Sequence, residues 1–127
     1  MVLWATDCAE HVLPYFEESY PEDDRPRKAV EAGRAWVRGE IAMSEARAAA
    51  LAAHAAACNT DQAAARSAAR AAGHAAATAH VASHAAHAAN YAVTAANDSA
   101  PAEERDWQYR RIPKHLRLVA FPTRGDD

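Results

Sequence analysis

Histidine is the residue of this chain with the clearest capacity for chemistry. His80, His84 and His87 lie close together in sequence, and at about 100° per residue a helix places all three in one narrow sector. Two imidazoles four residues apart stand one above the other and can bind the same zinc or copper ion. His54 and Cys58 repeat that spacing earlier in the chain. The pattern predicts a transition-metal site if the fold brings two such pairs together.

The same residue types also suit a polar pocket between the first helix and the later ones. Cys8 and His11 form a further pair of nitrogen and sulfur groups, three residues apart. The candidate members of this pocket are His80, His84, His54, Cys58, Cys8, His11, Tyr91 and Asp7. A metal, if one binds, would be held by His80, His84 and His87, and no other cofactor is expected. His74 is predicted to point away from their sector.

Each of these features also has a purely structural explanation. A histidine in an alanine-rich helix often bonds to a neighbouring helix or faces water, and an HxxxH pair is a weak motif. Cys8 and Cys58 could act as nucleophiles beside His11 and His54, because a nearby imidazole favours the thiolate. Small buried thiols are the simpler explanation. The chain contains no HExxH or CxxC motif, no phosphate-binding glycine loop and no dinucleotide fingerprint.

The bulk composition argues against several classes of function. The chain has 127 residues, a net charge of −3 with neutral histidines, and two cysteines. This balance lacks the basic excess of nucleic-acid-binding proteins, so no nucleic-acid partner is expected. The N-terminus lacks the regions of a signal peptide, and polar residues interrupt the alanine-rich middle too often for a membrane span. We therefore expect a cytoplasmic protein with free thiols and no membrane partner.

Helices are the elements that must position these residues. Alanine dominates residues 46–96 and has the highest intrinsic helix propensity. Prolines, glycines and polar turns divide the chain into five predicted helices, over about residues 3–19, 26–38, 44–58, 61–97 and 102–112, before an irregular tail from about 118. Pro14 is predicted to kink the first helix or to start a second short one. The predicted fold is all-α, a single domain over residues 1–127 with about five helices in a compact bundle around a long alanine-rich hairpin.

Alanine also makes the predicted core thin. Burying an alanine methyl contributes only about 0.8 kcal/mol, far less than a large apolar side chain. The larger residues lie mostly outside the hairpin. We predict that six of them clamp onto the hairpin and supply most of the burial: Trp4, Phe16, Tyr20, Trp36, Trp107 and Tyr109.

Several segments together resemble a bacterial family of immunity proteins with an Imm-5-like domain. The more specific segments are DCAEHVLP at residues 7–14 and DDRPRKA at 23–29, and further matches lie at 71–84, at 91–93 and in ERDWQ at 104–108. The resemblance covers nearly the whole chain and implies a small helical protein that protects a bacterium by binding a toxin. Ser83 departs from the family's pattern, which often has an acidic residue there, and His87 is an additional histidine.

Three hypotheses of function follow. The first is a non-enzymatic immunity-type protein that neutralises a toxin, or another protein partner, by occluding it through exposed helix faces or residues 20–27. The second is a small helical enzyme or small-molecule-binding protein, with a pocket lined by histidine and cysteine and with or without a metal. The third is a structural module that forms a homo-oligomer through an alanine face. Convergence of the candidate residues in one cavity would favour the second hypothesis, an enzyme or small-molecule-binding protein.

Overall fold

The computed structural model describes residues 2–79, 84–96 and 101–112, and in these ranges helices are the only regular structure. Seven α-helices occur there: α1 Val2–Val12, α2 Pro14–Glu17, α3 Arg25–Val37, α4 Met43–Cys58, α5 Ala63–Ala77, α6 His84–Ala95 and α7 Pro101–Arg111. The predicted all-α class is confirmed, and the tail predicted from about residue 118 lies outside the described residues. None of the described helices is long and apolar enough to cross a membrane.

Pro14 divides the first predicted helix in two. Proline has no backbone N–H, and its ring clashes with the carbonyl four residues earlier, so it interrupts a regular helix. α1 ends at Val12, the Leu13 N–H donates to the Glu10 carbonyl at 3.2 Å, and α2 begins at Pro14. The predicted break is therefore a restart. Leu13, between the two helices, keeps helical backbone angles (φ −56°, ψ −32°), and both Leu13 and Phe16 remain buried.

The single long helix predicted over residues 61–97 is wrong. α5 ends at Ala77, α6 begins at His84, and the two helices pack against each other. At the end of α5 the Thr78 N–H donates both to the His74 carbonyl at 3.0 Å and to the Ala75 carbonyl at 3.3 Å, which tightens the last turn. A continuous helix of that length would extend for about 55 Å and leave many alanine methyls in water. Folding back lets α6 bury them, which helix propensity alone does not reveal.

The interior consists mainly of alanine. Most of the fully buried residues of α4, α5 and α6 are alanines, whose small side chains allow helix axes to approach closely. Of the six large side chains predicted to clamp onto these helices, three are at most 7% exposed: Trp4, Phe16 and Tyr109. The other three are only half-buried: Tyr20, Trp36 and Trp107. The clamp is therefore concentrated on α1, α2 and α7.

α7 is attached to the bundle by two buried hydrogen bonds. The Trp4 indole N–H of α1 donates to the Gln108 carbonyl at 2.8 Å. The Gln108 side-chain amide donates to the Ala89 carbonyl of α6 at 2.9 Å. Gln108 is fully buried, and losing one partner of a buried hydrogen bond costs about 1–3 kcal/mol. These bonds fix the position of α7, and with it Glu104 and Trp107, relative to α1 and α6.

Gly33 allows α1 and α3 to touch. A Cβ at this position would lie 2.7 Å from the Thr6 Cγ2 methyl and 3.5 Å from Val2 Cγ1. We expect Gly33→Ala to lower the free energy of unfolding by about 1 kcal/mol, because overpacking outweighs the better helix propensity of alanine. Chemical denaturation of the two proteins measures the difference.

The double variant Gly33→Ala/Thr6→Ser is the matched control. Serine removes the obstructing methyl and keeps the hydroxyl, which in Thr6 donates to the Leu3 carbonyl at 2.9 Å. Adding Gly33→Ala to the Thr6→Ser background should therefore cost little or nothing. An equal loss in the wild-type and Thr6→Ser backgrounds would show that the methyl contact is not the cause.

Candidate functional site

An open cavity lies between α1, α2 and α7, and we call it the α1–α7 cavity. Its volume is about 310 Å³, and its lining combines aromatic, acidic and basic side chains: His11, Tyr15, Ala96, Glu103, Glu104, Trp107 and Arg110. The His11 ring stacks on the Trp107 indole, with ring centroids 3.8 Å apart and planes inclined by 7°. Part of the wall of this cavity is therefore a stacked aromatic pair contributed by two different helices.

A buried carboxylate orients the imidazole of this pair. Glu104 is 5% exposed, and its Oε1 lies 2.7 Å from Nδ1 of His11. Burial raises the pKa of Glu104, while His11 and the Gln108 amide act in the opposite direction. If Glu104 is ionised and the His11 imidazole is neutral, Nδ1 carries the proton that it donates to Glu104, and Nε2 is then an acceptor. Among the described residues Nε2 has no hydrogen-bond partner and remains available to a ligand.

Cys8 lies in the core, one helical turn before His11. It is fully buried, and burial together with the negative charges of Glu104 and Asp7 strongly raises the pKa of its thiol. A thiol that stays protonated at neutral pH is a poor nucleophile. The geometry favours a buried apolar role for Cys8 over a cysteine–histidine nucleophile.

Asp7 belongs to a network of ion pairs that joins three helices. One of its carboxylate oxygens accepts from Arg34 Nη2 at 3.0 Å, and the other accepts from Arg111 Nη2 at 3.2 Å. Arg34 also donates to both oxygens of Glu10, at 2.9 and 3.1 Å, and Arg27 donates to Glu10 at 3.1 Å. Asp7 thus helps to hold α1, α3 and α7 together, and it does not line the α1–α7 cavity.

This network makes a pH-dependent contribution to stability. Hydrogen bonds from Arg34 lower the pKa of Glu10. A carboxyl group whose pKa is lower in the folded protein than in the unfolded chain stabilises the fold at pH values above its pKa in the unfolded chain, about 4.3 for Glu. This contribution is lost as the pH falls through the pKa of the group in the folded protein. Arg34→Gln should lower the free energy of unfolding by about 1 kcal/mol at pH 7, the scale of partly exposed pairs, and by much less near pH 3. Denaturation at several pH values measures this difference.

Arg38→Gln is the control for this prediction. Arg38 pairs with Glu40 at 2.8 Å, but both side chains are more than half exposed, at 57% and 56%. Such pairs contribute little, so its effect should be near zero at every pH. An Arg34→Gln effect of constant size from pH 7 to pH 3 would contradict the electrostatic origin assigned to it.

Three histidines from three helices meet on α4, α5 and α6. The His74 ring centroid lies 4.8 Å from that of His54 on α4 and 5.1 Å from that of His87 on α6. Tyr91 stacks on His74 with centroids 5.2 Å apart and planes inclined by 8°. The Arg70 guanidinium lies 5.9 Å from the Tyr91 ring centroid. We call these five residues the imidazole cluster.

The expectation that His74 points away from the sector of His80, His84 and His87 is wrong for His87, whose ring lies against that of His74. It followed from treating residues 61–97 as one helix, in which angular positions accumulate without interruption. Because α5 and α6 are separate helices, the angle counted from His74 to His87 carries no information about their distance. Gly73 provides room for the cluster, since a Cβ there would lie 2.7–3.0 Å from ring atoms of His54.

The other predicted ligands do not complete a described metal site. Cys58 ends α4 and is exposed. His80 lies outside the described residues, and His84 begins α6 with its side chain outside the described part. Where side chains are described, no three His, Cys, Asp or Glu residues are arranged to hold a metal ion. A metal at His80, His84 and His87 stays a prediction.

The predicted pocket residues with described side chains fall into separate groups. Asp7, Cys8 and His11 lie on α1, His54 and Tyr91 lie in the imidazole cluster, and Cys58 is exposed. Of these, only His11 lines the α1–α7 cavity.

Sequence reasoning did not identify Glu104 and Trp107 as partners of His11. No local pattern relates residues more than ninety positions apart. The only available signal was that residues 104–108 belong to the segments of family resemblance.

The sequence matches a known family over nearly all of its length. The family model described as "Imm-5 like putative immunity protein" matches residues 1–115. That range contains α1 to α7, and with them both the α1–α7 cavity and the imidazole cluster. No curated protein and no solved structure matches the chain significantly. The chain belongs to this Imm-5-like family.

Proposed function

We propose that this protein is a non-enzymatic immunity protein of the bacterial cytoplasm, which neutralises a toxin by binding and occluding it. The family match over residues 1–115 is the observation that carries the proposal. Occlusion favours a surface that is formed before binding, because ordering loops and side chains in the complex reduces affinity. The alanine-filled interior and the buried hydrogen bonds of α7 support such a pre-formed surface.

The α1–α7 cavity is the surface that we assign to the toxin. Tyrosine, tryptophan and arginine are enriched at the hot spots of protein interfaces, and the lining brings together Tyr15, Trp107 and Arg110. Trp107 is half-buried and already stacked on His11, so it would lose little side-chain entropy on contact with a partner. A cavity of about 310 Å³ suits one or two inserted side chains of the toxin.

Capture from the native cell, followed by a toxicity assay, tests this function. Tagged wild-type protein and the Trp107→Ala variant are used in parallel, and only proteins captured by the wild type alone are pursued. The captured protein should arrest growth when it is expressed by itself, and coexpression of the wild-type chain should restore growth. A partner that is harmless, or toxicity that the wild-type chain does not relieve, would refute the immunity role.

Binding of a small polar molecule in the same cavity is a second candidate function, and the His11–Glu104 pair favours it. A carboxylate that orients an imidazole prepares the other ring nitrogen to accept a proton or a hydrogen bond. Because the Cys8 thiol is buried with a raised pKa, the geometry supports ligand binding more than covalent catalysis.

Thermal unfolding with a panel of polar metabolites tests this alternative. A ligand of the cavity should raise the melting temperature of the wild type but not that of His11→Gln. The glutamine side chain can still bond to Glu104 but offers no second ring nitrogen. Equal stabilisation of both proteins would place the ligand elsewhere.

A further inference from the structure

Acidic residues are almost absent from the alanine-rich part of the chain. Residues 46–96 contain one of the seventeen Asp and Glu residues, Asp61, but three arginines and five of the seven histidines. Asp61 lies before α5, and its carboxylate accepts a hydrogen bond from the Tyr20 hydroxyl at 3.2 Å. The other sixteen acidic residues precede residue 46 or follow residue 96. Charge is therefore segregated along the chain, and α5 and α6 contain no acidic residue at all.

The fold gathers this basic character on one surface. His87 is exposed, the other four residues of the imidazole cluster are half-buried, and together they come from three helices. Arg66 lies one turn before Arg70 on α5, and its guanidinium donates to the Thr60 carbonyl at 3.0 Å. We call the imidazole cluster together with Arg66 the basic face. It combines two permanent cations with three imidazoles whose ring centroids lie 4.8–5.1 Å from their neighbours.

The two arginines of the basic face have no ion pair to a described carboxylate, unlike most of the other arginines that the structure describes. Five arginines elsewhere form ion pairs of 3.2 Å or less with Asp or Glu: Arg25, Arg27, Arg34, Arg38 and Arg111. Within residues 2–79, 84–96 and 101–112, neither Arg66 nor Arg70 has a carboxylate within ion-pair distance. The positive charge of this surface is thus available to a bound anion.

We propose that the basic face binds an acidic peptide segment of a partner protein. Guanidinium and imidazole N–H groups are strong donors to carboxylates, and ionised pairs form the stronger hydrogen bonds. Contacts among the rings hold several of these donors in place before binding, which reduces the entropy lost in the complex. The basic face uses no residue of the α1–α7 cavity, so this inference goes beyond the proposed function and does not depend on it.

Other anionic partners match the basic face less well. Nucleic-acid-binding proteins often neutralise about 6–10 phosphates, which is more than two arginines can do. Anionic lipid surfaces typically recruit clusters of about 4–8 Lys or Arg. A short run of carboxylates needs fewer cations, and neutral imidazoles can also donate to it.

Fluorescence anisotropy with two labelled peptides tests the proposal on the full chain. Both peptides have about twelve residues, and one has glutamate where the other has glutamine. At low ionic strength the glutamate peptide should bind at least about tenfold more tightly, and about 0.5 M salt should abolish the difference. The net charge of the protein is −3, so general attraction cannot explain such a preference. Equal affinities for the two peptides would overturn the proposal.

Matched charge reversals locate the binding site. Arg70→Glu lies in the basic face, whereas Arg38→Glu makes the same change after α3, where Arg38 is 57% exposed. Arg70→Glu should lower the affinity for the glutamate peptide by about tenfold or more, whereas Arg38→Glu should lower it by less than about threefold. Equal losses would mean that only total charge matters, and would overturn the assignment.

Gly73→Ala changes the basic face without changing its charge. The new Cβ must displace the His54 ring, from which it would lie only 2.7–3.0 Å away. We expect the affinity for the glutamate peptide to fall several-fold while the melting temperature shows that each variant remains folded. An unchanged affinity would show that the His54 ring does not contribute to peptide binding. A single-stranded oligonucleotide of equal charge that binds more tightly than the peptide would overturn the choice of partner.

Discussion

Phe16→Ala is expected to lower the free energy of unfolding by about 3–5 kcal/mol. Phe16 is 1% exposed and is the largest fully buried side chain of the described core. Most of the buried residues of this core are alanines, which have no side-chain rotamers with which to fill the resulting cavity. Small domains have total stabilities of about 5–15 kcal/mol, so the variant should be close to unfolding. Chemical denaturation followed by circular dichroism measures the loss.

Leu51→Ala is the control for this core substitution. Leu51 is 61% exposed on α4, so its removal should change the free energy of unfolding by less than about 0.5 kcal/mol. A loss below about 1 kcal/mol for Phe16→Ala would mean that the alanine contacts, and not the clamp of larger side chains, supply most of the stability.

Trp107→Ala is expected to weaken the proposed complex with a toxin by about 2–4 kcal/mol, or about 30-fold to 1000-fold in Kd. The indole forms part of the cavity wall and is held by its stack on His11, at 3.8 Å between centroids. Removing it would leave a partner side chain in a widened, wetter cavity. Isothermal titration calorimetry with the purified toxin measures the change.

Trp36→Ala is the control for this substitution, because it shows whether the loss of any half-buried tryptophan would weaken binding. Trp36 lies on α3 and does not line the α1–α7 cavity. Its removal should leave the Kd within about threefold of the wild-type value. Melting temperatures of both variants show whether folding is preserved. An unchanged Kd for Trp107→Ala would mean that the toxin binds elsewhere on the bundle.

Local features of the sequence predicted the fold class and most of the helices. High alanine content specifies helix wherever the chain is not interrupted, and Pro14 interrupts α1 for a reason that is visible in the sequence. The end of α5 has no such signal, because no proline or glycine lies between Gly73 and Pro101. The helix ends there because α6 then packs against α5 and buries a face of α5 that a continuous helix would leave in water.

The candidate site was predictable only in part, because its contacts join distant residues. His11 was identified from its spacing to Cys8, but the partners that define its role, Glu104 and Trp107, come from α7. In the imidazole cluster, His54, His87 and Tyr91 were identified, whereas His74 was assigned to the wrong face after the error in α5 and α6.

Two of the segments that resemble the immunity family meet in the structure. Residues 7–14 include His11 and residues 104–108 include Glu104 and Trp107, and together they supply both the hydrogen-bonded pair and the aromatic stack. The α1–α7 cavity thus brings together two of the segments that carry the family resemblance.

The most direct test of toxin neutralisation is a titration of the isolated toxin's activity with the purified protein. If the protein acts by occlusion, activity should fall linearly to zero at a one-to-one ratio. Trp107→Ala should shift the curve to much higher concentrations, while Trp36→Ala should not. Full toxin activity in the presence of excess wild-type protein, or inhibition that proceeds at far below one-to-one as in catalytic inactivation, would contradict a non-enzymatic immunity role.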